Sequence, residues 1–284
     1  MTAKIESAPS LLATASGVGP LLMLRLMPDM AALGRWVAAT GQRALREDVG
    51  YALHAALRAT LGTLAPKPFA LLQRPGSVQL IGYSSEAEPT LWGALALATV
   101  TDPGAAQALG LSRGADALVK PMPQSWRAGQ CLSFEVRVAP VVRSRAAAGA
   151  NAGRGGTYPE IDAAFHPDFA GETSGDREAA HVRWLARELS RGGAATLLSH
   201  RAVAFQLAPM ARRSHRAAGS SGIGDRQPTP ARNAHHGLLP DLTVRGQLRI
   251  ENPQGFQHLL ARGLGRHRSF GFGCLLLAPP GAWT

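Results

Sequence analysis

Lysine is nearly missing from this 284-residue chain: Lys4, Lys67 and Lys120 are the only three among thirty basic residues, and the other 27 are arginine. Against 19 acidic residues the thirty leave a formal net charge of +11, with a pI near 11.0. Such an excess asks for a polyanionic partner, a nucleic acid or an acidic membrane surface. Arginine presents a planar fork of donors suited to phosphates and guanine edges, where lysine offers a point charge. A GC-rich coding bias is a second source of arginine in place of lysine, but it does not produce the net charge. Cysteine is equally scarce. Cys131 and Cys274 are too few and too far apart for a disulfide scaffold or a zinc cage, and both lie in apolar runs, which predicts buried free thiols in a reducing compartment. Long apolar runs are absent too. Leu91–Val100 is too short to span a bilayer, and Pro20 and Arg25 interrupt the apolar stretch near the N-terminus, so neither a membrane span nor a secretory signal is expected and the predicted location is cytoplasmic. With 45% hydrophobic residues, global disorder is excluded.

Residues 1–17, rich in Ser, Ala and Thr, read as a flexible arm. A buried strand over Leu21–Met27 is predicted next, closed by Pro28-Asp29, then a helical piece over Ala31–Thr40 ending at Gly41. Leu45, Val49, Leu53, Ala56 and Leu57 recur at three and four, which predicts a helix over Leu45–Leu61 with that stripe in the core and Gly62 as the stop. Phe69–Gln73 and Val78–Tyr83 flank Pro75-Gly76 as a hairpin; Leu91–Val100 reads as a short helix; Cys131–Val138 alternates with period two and reads as the last strand of this half. Strand, helix, strands, helix, strand is the order of an α+β sandwich of ferredoxin type, spanning 18–144. From 145 to 175 the chain is low in complexity and then aperiodic, the pattern of a linker or insertion. The remainder, 176–284, repeats the strand–helix logic: a helix over Asp176–Ser190, a strand over Ala202–Leu207, a basic stretch, a strand over Leu242–Ile250, a helix over Pro253–Arg262 opened by Asn252, a glycine-rich loop and a final strand over Phe272–Ala278.

The loop is the strongest local signal: Gly263-Leu-Gly265-Arg266-His267-Arg268-Ser-Phe-Gly271-Phe-Gly273. It lacks the Gly-Lys-[Ser/Thr] of a phosphate-binding P-loop and follows a helix, unlike a dinucleotide fingerprint. Two readings are open: a loop whose backbone approaches a nucleic acid, helped by the donors of Arg266, His267 and Arg268, or a tight helix-to-strand turn.

The Gly-x-Gly-x5-Gly-x-Gly pattern before a C-terminal strand resembles the glycine-rich loop of the CRISPR-associated repeat-RNA endoribonucleases. These form a branch, of the CasE/Cse type, of the repeat-associated mystery protein superfamily. Lys120-Pro-Met-Pro followed by Gly129–Pro140 is similar to that branch's loop and strand ending the first domain, and Val182–Gly193 to the helix opening its second. The resemblance implies two tandem ferredoxin-like (RRM-like) domains. It also implies metal-independent cleavage of repeat RNA beside a stem-loop, maturation and retention of the CRISPR RNA, and partner subunits in an effector complex, with no cofactor and no membrane. Tyr51-Ala-Leu-His54 occupies the place of the branch's Tyr-x-x-His pair, which makes Tyr51 and His54 the implied catalytic residues.

Spacing agrees with that placement. Tyr51 and His54, three apart, share a helix face with Glu47 and Arg58, opposite the apolar stripe. RNA carries its own nucleophile, the 2′-OH, so an imidazole that takes its proton near neutral pH, a tyrosine that polarises the hydroxyl or phosphate, and arginines that balance charge suffice without a metal. The family's usual third participant is a basic residue from the second domain, often lysine; no lysine follows Lys120, so either an arginine serves or the mechanism is reduced to His54 and Tyr51. Arg212, Arg213, His215 and Arg216 fall where the branch carries a basic hairpin gripping the RNA stem, with a solvated charge run as the alternative reading. Arg25, Arg245 and Arg249 are further candidates for phosphate contacts. Two functions remain open at this point, a metal-independent endoribonuclease and a non-catalytic RNA-binding subunit.

Overall fold

The computed structural model describes residues 20–41, 48–111, 117–144, 158–171, 176–210 and 237–283. In the first half these form β1 (Leu22–Leu26), α1 (Met30–Thr40), α2 (Val49–Leu61), β2 (Phe69–Arg74), β3 (Ser77–Ser84), α3 (Glu88–Thr101), α4 (Pro103–Ala108) and β4 (Leu118–Pro121). The second half holds β5 (Cys131–Val138), β6 (Val141–Arg143), β7 (Glu160–Asp162), α5 (Pro167–Ala170), α6 (Arg177–Ser190), β8 (Ala195–Met210), β9 (Gly237–Ile250), α7 (Pro253–Arg262) and β10 (Leu276–Ala278). Two four-stranded antiparallel sheets result, in the orders β2-β3-β1-β4 and β10-β5-β9-β8. In each the first and third strands of a β-α-β-β-α-β unit take the centre, so the expected pair of ferredoxin-like domains is present.

Local chemistry explains the elements. Asp29, Asp48, Asp102, Asp176 and Asn252 cap α1, α2, α4, α6 and α7 by accepting backbone N–H groups, contacts worth about 1 kcal/mol each. On α2, Leu53, Ala56, Leu57 and Leu61 are buried in the first core beneath Leu24, Leu26 and Leu80. Ala180, Trp184, Leu185 and Leu189 of α6, one stripe at helical spacing, fill the second core together with Phe256 and Leu260 of α7. The two sheets meet through Tyr83, which is buried and donates its hydroxyl to the Leu275 carbonyl at 2.8 Å.

Several expectations are corrected. Cys131–Val138 opens the second sheet, paired with β9 and β10, instead of closing the first; the fourth strand of the first sheet is Leu118–Pro121. Alternation reveals a strand but not its partner, which is why the order along the chain misled. Val49 is 46% exposed and does not join the core stripe, because it lies in the first turn of α2 and borders an open cleft. The stretch expected to be a linker or insertion, without periodicity, contains β7, a 3-10 turn over Ala163–Phe165 and α5, with Ala163 and Phe169 buried in the second core. β8 and β9 run well past the predicted strands to pair Met210 with Gly237, since ladder hydrogen bonds continue where the hydrophobic alternation has lapsed. The final strand shrinks to Leu276–Ala278 because Phe272–Leu275 packs without a ladder partner. Residues 1–17, Leu45 and Glu47, the low-complexity run 145–157 and the basic stretch with Arg212, Arg213, His215 and Arg216 lie outside the described residues. Among the described residues no helix is long and apolar enough to cross a membrane.

Candidate active site

Asp48 caps α2 by accepting the Tyr51 N–H at 3.0 Å, which sets the first turn of the helix and with it the Tyr51–His54 face. That face is not open to solvent as an ordinary polar stripe would be. Tyr51 and His54 are both half-buried, because the 3-10 turn Arg268–Phe270 of the glycine-rich loop lies across them. The Phe270 ring stands edge-on to both, its centroid 5.6 Å from Tyr51 and 5.3 Å from the imidazole of His54, with the imidazole nearly perpendicular at 86°. Gly50 makes this contact possible: a Cβ there would sit 2.2 Å from the Phe270 carbonyl oxygen. The two strongest motifs of the sequence, far apart along the chain, are thus brought together at one point.

The loop itself is a closed turn. Leu264 N–H donates to the Gly273 carbonyl at 2.9 Å and Gly273 N–H to the Arg137 carbonyl at 2.7 Å, tying both ends to one spot. Gly263 backs onto Pro68, Gly265 onto the Trp184 ring and Gly273 onto Leu264, each too close for any side chain. Gly271, at φ 86°, provides the left-handed turn that swings Phe270 outward. So the glycines serve internal packing, and what the loop presents is Phe270.

The loop's cations are engaged within the protein. Arg266 donates to Glu160 at 2.6 Å and His267 pairs with the other oxygen of the same carboxylate at 2.9 Å. Arg268 donates to the Arg262 carbonyl at the end of α7. Arg58 caps its own helix by donating to the Gly62 carbonyl at 2.8 Å, and Arg245 is salt-bridged to Glu135 at 2.5 Å. Arg249 pairs with Glu251 at 2.9 Å. Arg25 projects from the face of β1 opposite the helices, away from His54's helix layer, with its Nε buried.

Burial against the loop, then the charges of Arg58 and Lys67, hold the His54 pKa below the ordinary imidazole value. A neutral imidazole able to accept a proton is the result. Lys67, exposed in the turn before β2, is a cation near His54 that the sequence reading did not single out. The family resemblance implies a second-domain lysine, whereas Lys67 belongs to the turn before β2, and its neighbour Pro68 underlies Gly263 of the loop. No pattern along the chain links it to His54; only the fold does.

Beside Gly50 and Gly271 opens a cleft of about 510 Å³ between the first turn of α2, β2 and the β8–β9 ladder. Its polar wall is a fork: Arg137 donates twice to Asp241 at 2.8 Å, Gln206 donates to the same carboxylate at 2.7 Å, and the guanidinium lies 4.3 Å over the Phe272 ring. Gln73 and Thr243 also line the cleft. Gly50 and Leu53 of α2 line this cleft, and Gly50 lies about one helical turn before His54.

Residues 23–279 match the family model of CRISPR associated protein. No curated protein sequence matches the chain. Among solved structures, Cse3 of Thermus thermophilus bound to an RNA representing a pre-cleavage complex is similar, with a TM-score of 0.53 and 19% identity over 92% of this chain and 100% of that one. A second structure, the CRISPR endoribonuclease Cse3 bound to a 19-nt RNA, has a TM-score of 0.54 and 20% identity over 93% and 100% of the two chains. At this identity the likeness concerns the fold, and it covers both ferredoxin-like domains.

Proposed function

Since the chain belongs to the family of CRISPR-associated proteins, we propose that it is a metal-independent endoribonuclease. It binds the stem-loop of CRISPR repeat RNA, cleaves beside it and keeps the product within an effector complex. The observation that carries this reading is the half-buried His54, held below the ordinary imidazole pKa, on one helix face with Tyr51 and packed with it against Phe270 of the glycine-rich loop. The similar Cse3 proteins, described as a CRISPR endoribonuclease bound to RNA, share the whole fold and support it.

The chemistry follows from the residues. His54 takes the proton of the 2′-OH next to the scissile phosphate. The 2′-oxygen attacks phosphorus, the bond to the 5′-oxygen breaks, and that oxygen leaves with a proton from the surrounding water. The products are a 2′,3′-cyclic phosphate and a 5′-OH end. Because the nucleophile is part of the substrate, no metal-activated water is needed. Tyr51 orients the hydroxyl or phosphate, and the cations of Lys67 and Arg58 oppose the negative charge that grows on the phosphoryl oxygens. In this role Lys67 stands in for the second-domain lysine that the chain lacks. Arg212, Arg213, His215 and Arg216, in the connection between β8 and β9, are assigned to the stem, where phosphates and a guanine edge near the loop are within reach of arginine. Arg266, His267 and Arg268 are assigned to shaping the loop instead of gripping RNA.

The test is incubation of the purified protein with its cognate repeat RNA in excess EDTA, beside an RNA carrying a single 2′-deoxy nucleotide at the cleavage site. Full cleavage of the first and none of the second, with a cyclic phosphate end, is expected. Tight binding without cleavage would instead make the chain a non-catalytic RNA-binding subunit.

A further inference from the structure

Glu160 belongs to neither four-stranded sheet. It opens β7, a three-residue strand paired with β6 opposite Arg143, and the segment it starts is anchored firmly. Ala163 and Phe169 are buried in the second core, Asp162 meets the buried His181 at 2.6 Å, and Arg183 donates to the Phe169 carbonyl at 2.8 Å. From this base the Glu160 carboxylate, only 8% exposed, reaches the glycine-rich loop and binds Arg266 with one oxygen and His267 with the other.

The backbone of His267 shows why the loop needs such a clamp. At φ 59° it is the one non-glycine residue with positive φ among the described residues. A residue with a side chain pays for that conformation and keeps it only where its surroundings impose it. Three residues on, the Phe270 N–H donates to the His267 carbonyl at 2.8 Å, so the place of His267 sets the place of Phe270. Phe270 in turn stands edge-on to His54 and Tyr51.

We propose that Glu160 and Phe270 are positioning residues for His54. The carboxylate of Glu160 locks the loop through Arg266 and His267, and the Phe270 ring fixes the plane of the imidazole and shields it from water. Edge-to-face contact has a preferred geometry and so restrains ring rotation where packing alone would not. The groups facing His54 are Tyr51 and Arg58 along α2, Lys67 from the turn before β2, and Phe270 from the loop. Releasing the loop removes the shield and leaves the other three in place, which moves the titration of His54 upward, towards that of a free imidazole. A displacement of about 1 Å at a reacting group costs on the order of 10²-fold in rate. The release has an opposite effect on binding: without Glu160 the charge of Arg266 is no longer balanced, so RNA binds as tightly as before or more tightly.

The role of Glu160 rests on His54 being the proton acceptor, and the experiment separates the two claims. Glu160→Gln, Phe270→Ala and His54→Ala are compared with the unaltered protein in single-turnover cleavage across pH, in RNA affinity, and by NMR titration of the His54 ring in the free protein. Expected for Glu160→Gln and Phe270→Ala is about 10- to 100-fold slower cleavage, with the acidic limb of the pH profile and the NMR titration of His54 both displaced upward, and with no loss of RNA affinity for Glu160→Gln. A loop that was merely structural would lower affinity and rate together and leave the titration where it is. If His54→Ala is inactive while Glu160→Gln keeps both rate and titration, the clamp is refuted and the catalytic reading stands. If His54→Ala cleaves normally, the catalytic reading fails, and the titration alone judges whether Glu160 positions the ring. Should Glu160→Gln not fold, the loop-side pair Arg266→Ala and His267→Asn, which tolerates positive φ, gives the same two readouts.

Discussion

Gly50→Ala is the sharpest single test of the contact between α2 and the glycine-rich loop. In an unobstructed helix the change is favourable by about 1 kcal/mol, because glycine loses the most backbone freedom on folding. At Gly50 the added Cβ would lie 2.2 Å from the Phe270 carbonyl oxygen and 3.0 Å from its carbon, both backbone atoms. Reaching even 3.0 Å from the oxygen requires the turn to retreat by about 0.8 Å, and overpacking of this kind costs roughly 1–3 kcal/mol. The helix gain offsets part of this, so the net loss of stability is about 0–2 kcal/mol. The site suffers more. The same retreat carries Phe270 off His54, a misplacement that costs on the order of 10²-fold in cleavage rate. Gly34→Ala in α1, where nothing lies within 4 Å of the new methyl group, is the control and should raise Tm by a few degrees with unchanged activity. Single-turnover cleavage and thermal unfolding of both variants provide the readings. A Gly50→Ala protein that matches Gly34→Ala in both would refute the packing of the loop on α2.

Other consequences are checked more simply. Replacing Arg212, Arg213 and Arg216 together by Ala should weaken a hairpin RNA strongly and an unstructured strand of equal length little, with each lost phosphate contact lowering the log-salt slope by about one unit; equal losses at matched ionic strength would mark the stretch as a solvated charge run. Tyr83→Phe leaves the Leu275 carbonyl without its buried donor where the two sheets meet, a loss of roughly 1–3 kcal/mol readable by urea denaturation. Burial pushes the Cys274 thiol well above its ordinary range, so a thiol reagent should modify the half-exposed Cys131 under native conditions and reach Cys274 only on unfolding. Acid should act in two stages. The folded state holds His54 below its unfolded value, so the unfolded chain binds more protons and stability declines as pH falls below about 6.5; His54→Gln should flatten that part of a Tm–pH curve. For Asp162, burial raises the pKa but is outweighed by the hydrogen bonds from His181 and the Ala164 N–H and by the charge of Arg177, so its contribution is present above about pH 4 and vanishes as pH drops through the lowered folded value.

Much of this protein was legible along the chain. The apolar run of β1, the cap at Asn252 and the stripe of α6 are short-range patterns, set by burial or by the pitch of a helix, so they are written where they act. The glycine pattern and the Tyr51–His54 spacing were visible for the same reason. What the sequence did not determine is who meets whom. Cys131–Val138 joins β9 and β10 because sheet pairing is a long-range choice with no local signature, and the segment read as a linker or insertion proved to hold Glu160, whose carboxylate binds Arg266 and His267 of the glycine-rich loop. Lys67 and His54, thirteen residues apart with Pro66 and Gly62 between them, become electrostatic neighbours only through packing. The glycines of the loop are required by Pro68, Trp184 and Leu264, partners that no spacing discloses. Residue type and periodicity thus dictated the elements and their chemistry, while the tertiary structure decided which charges are already paired and which imidazole is kept neutral by burial. Both of those depend on distances across the core, and a chain read in order does not contain them.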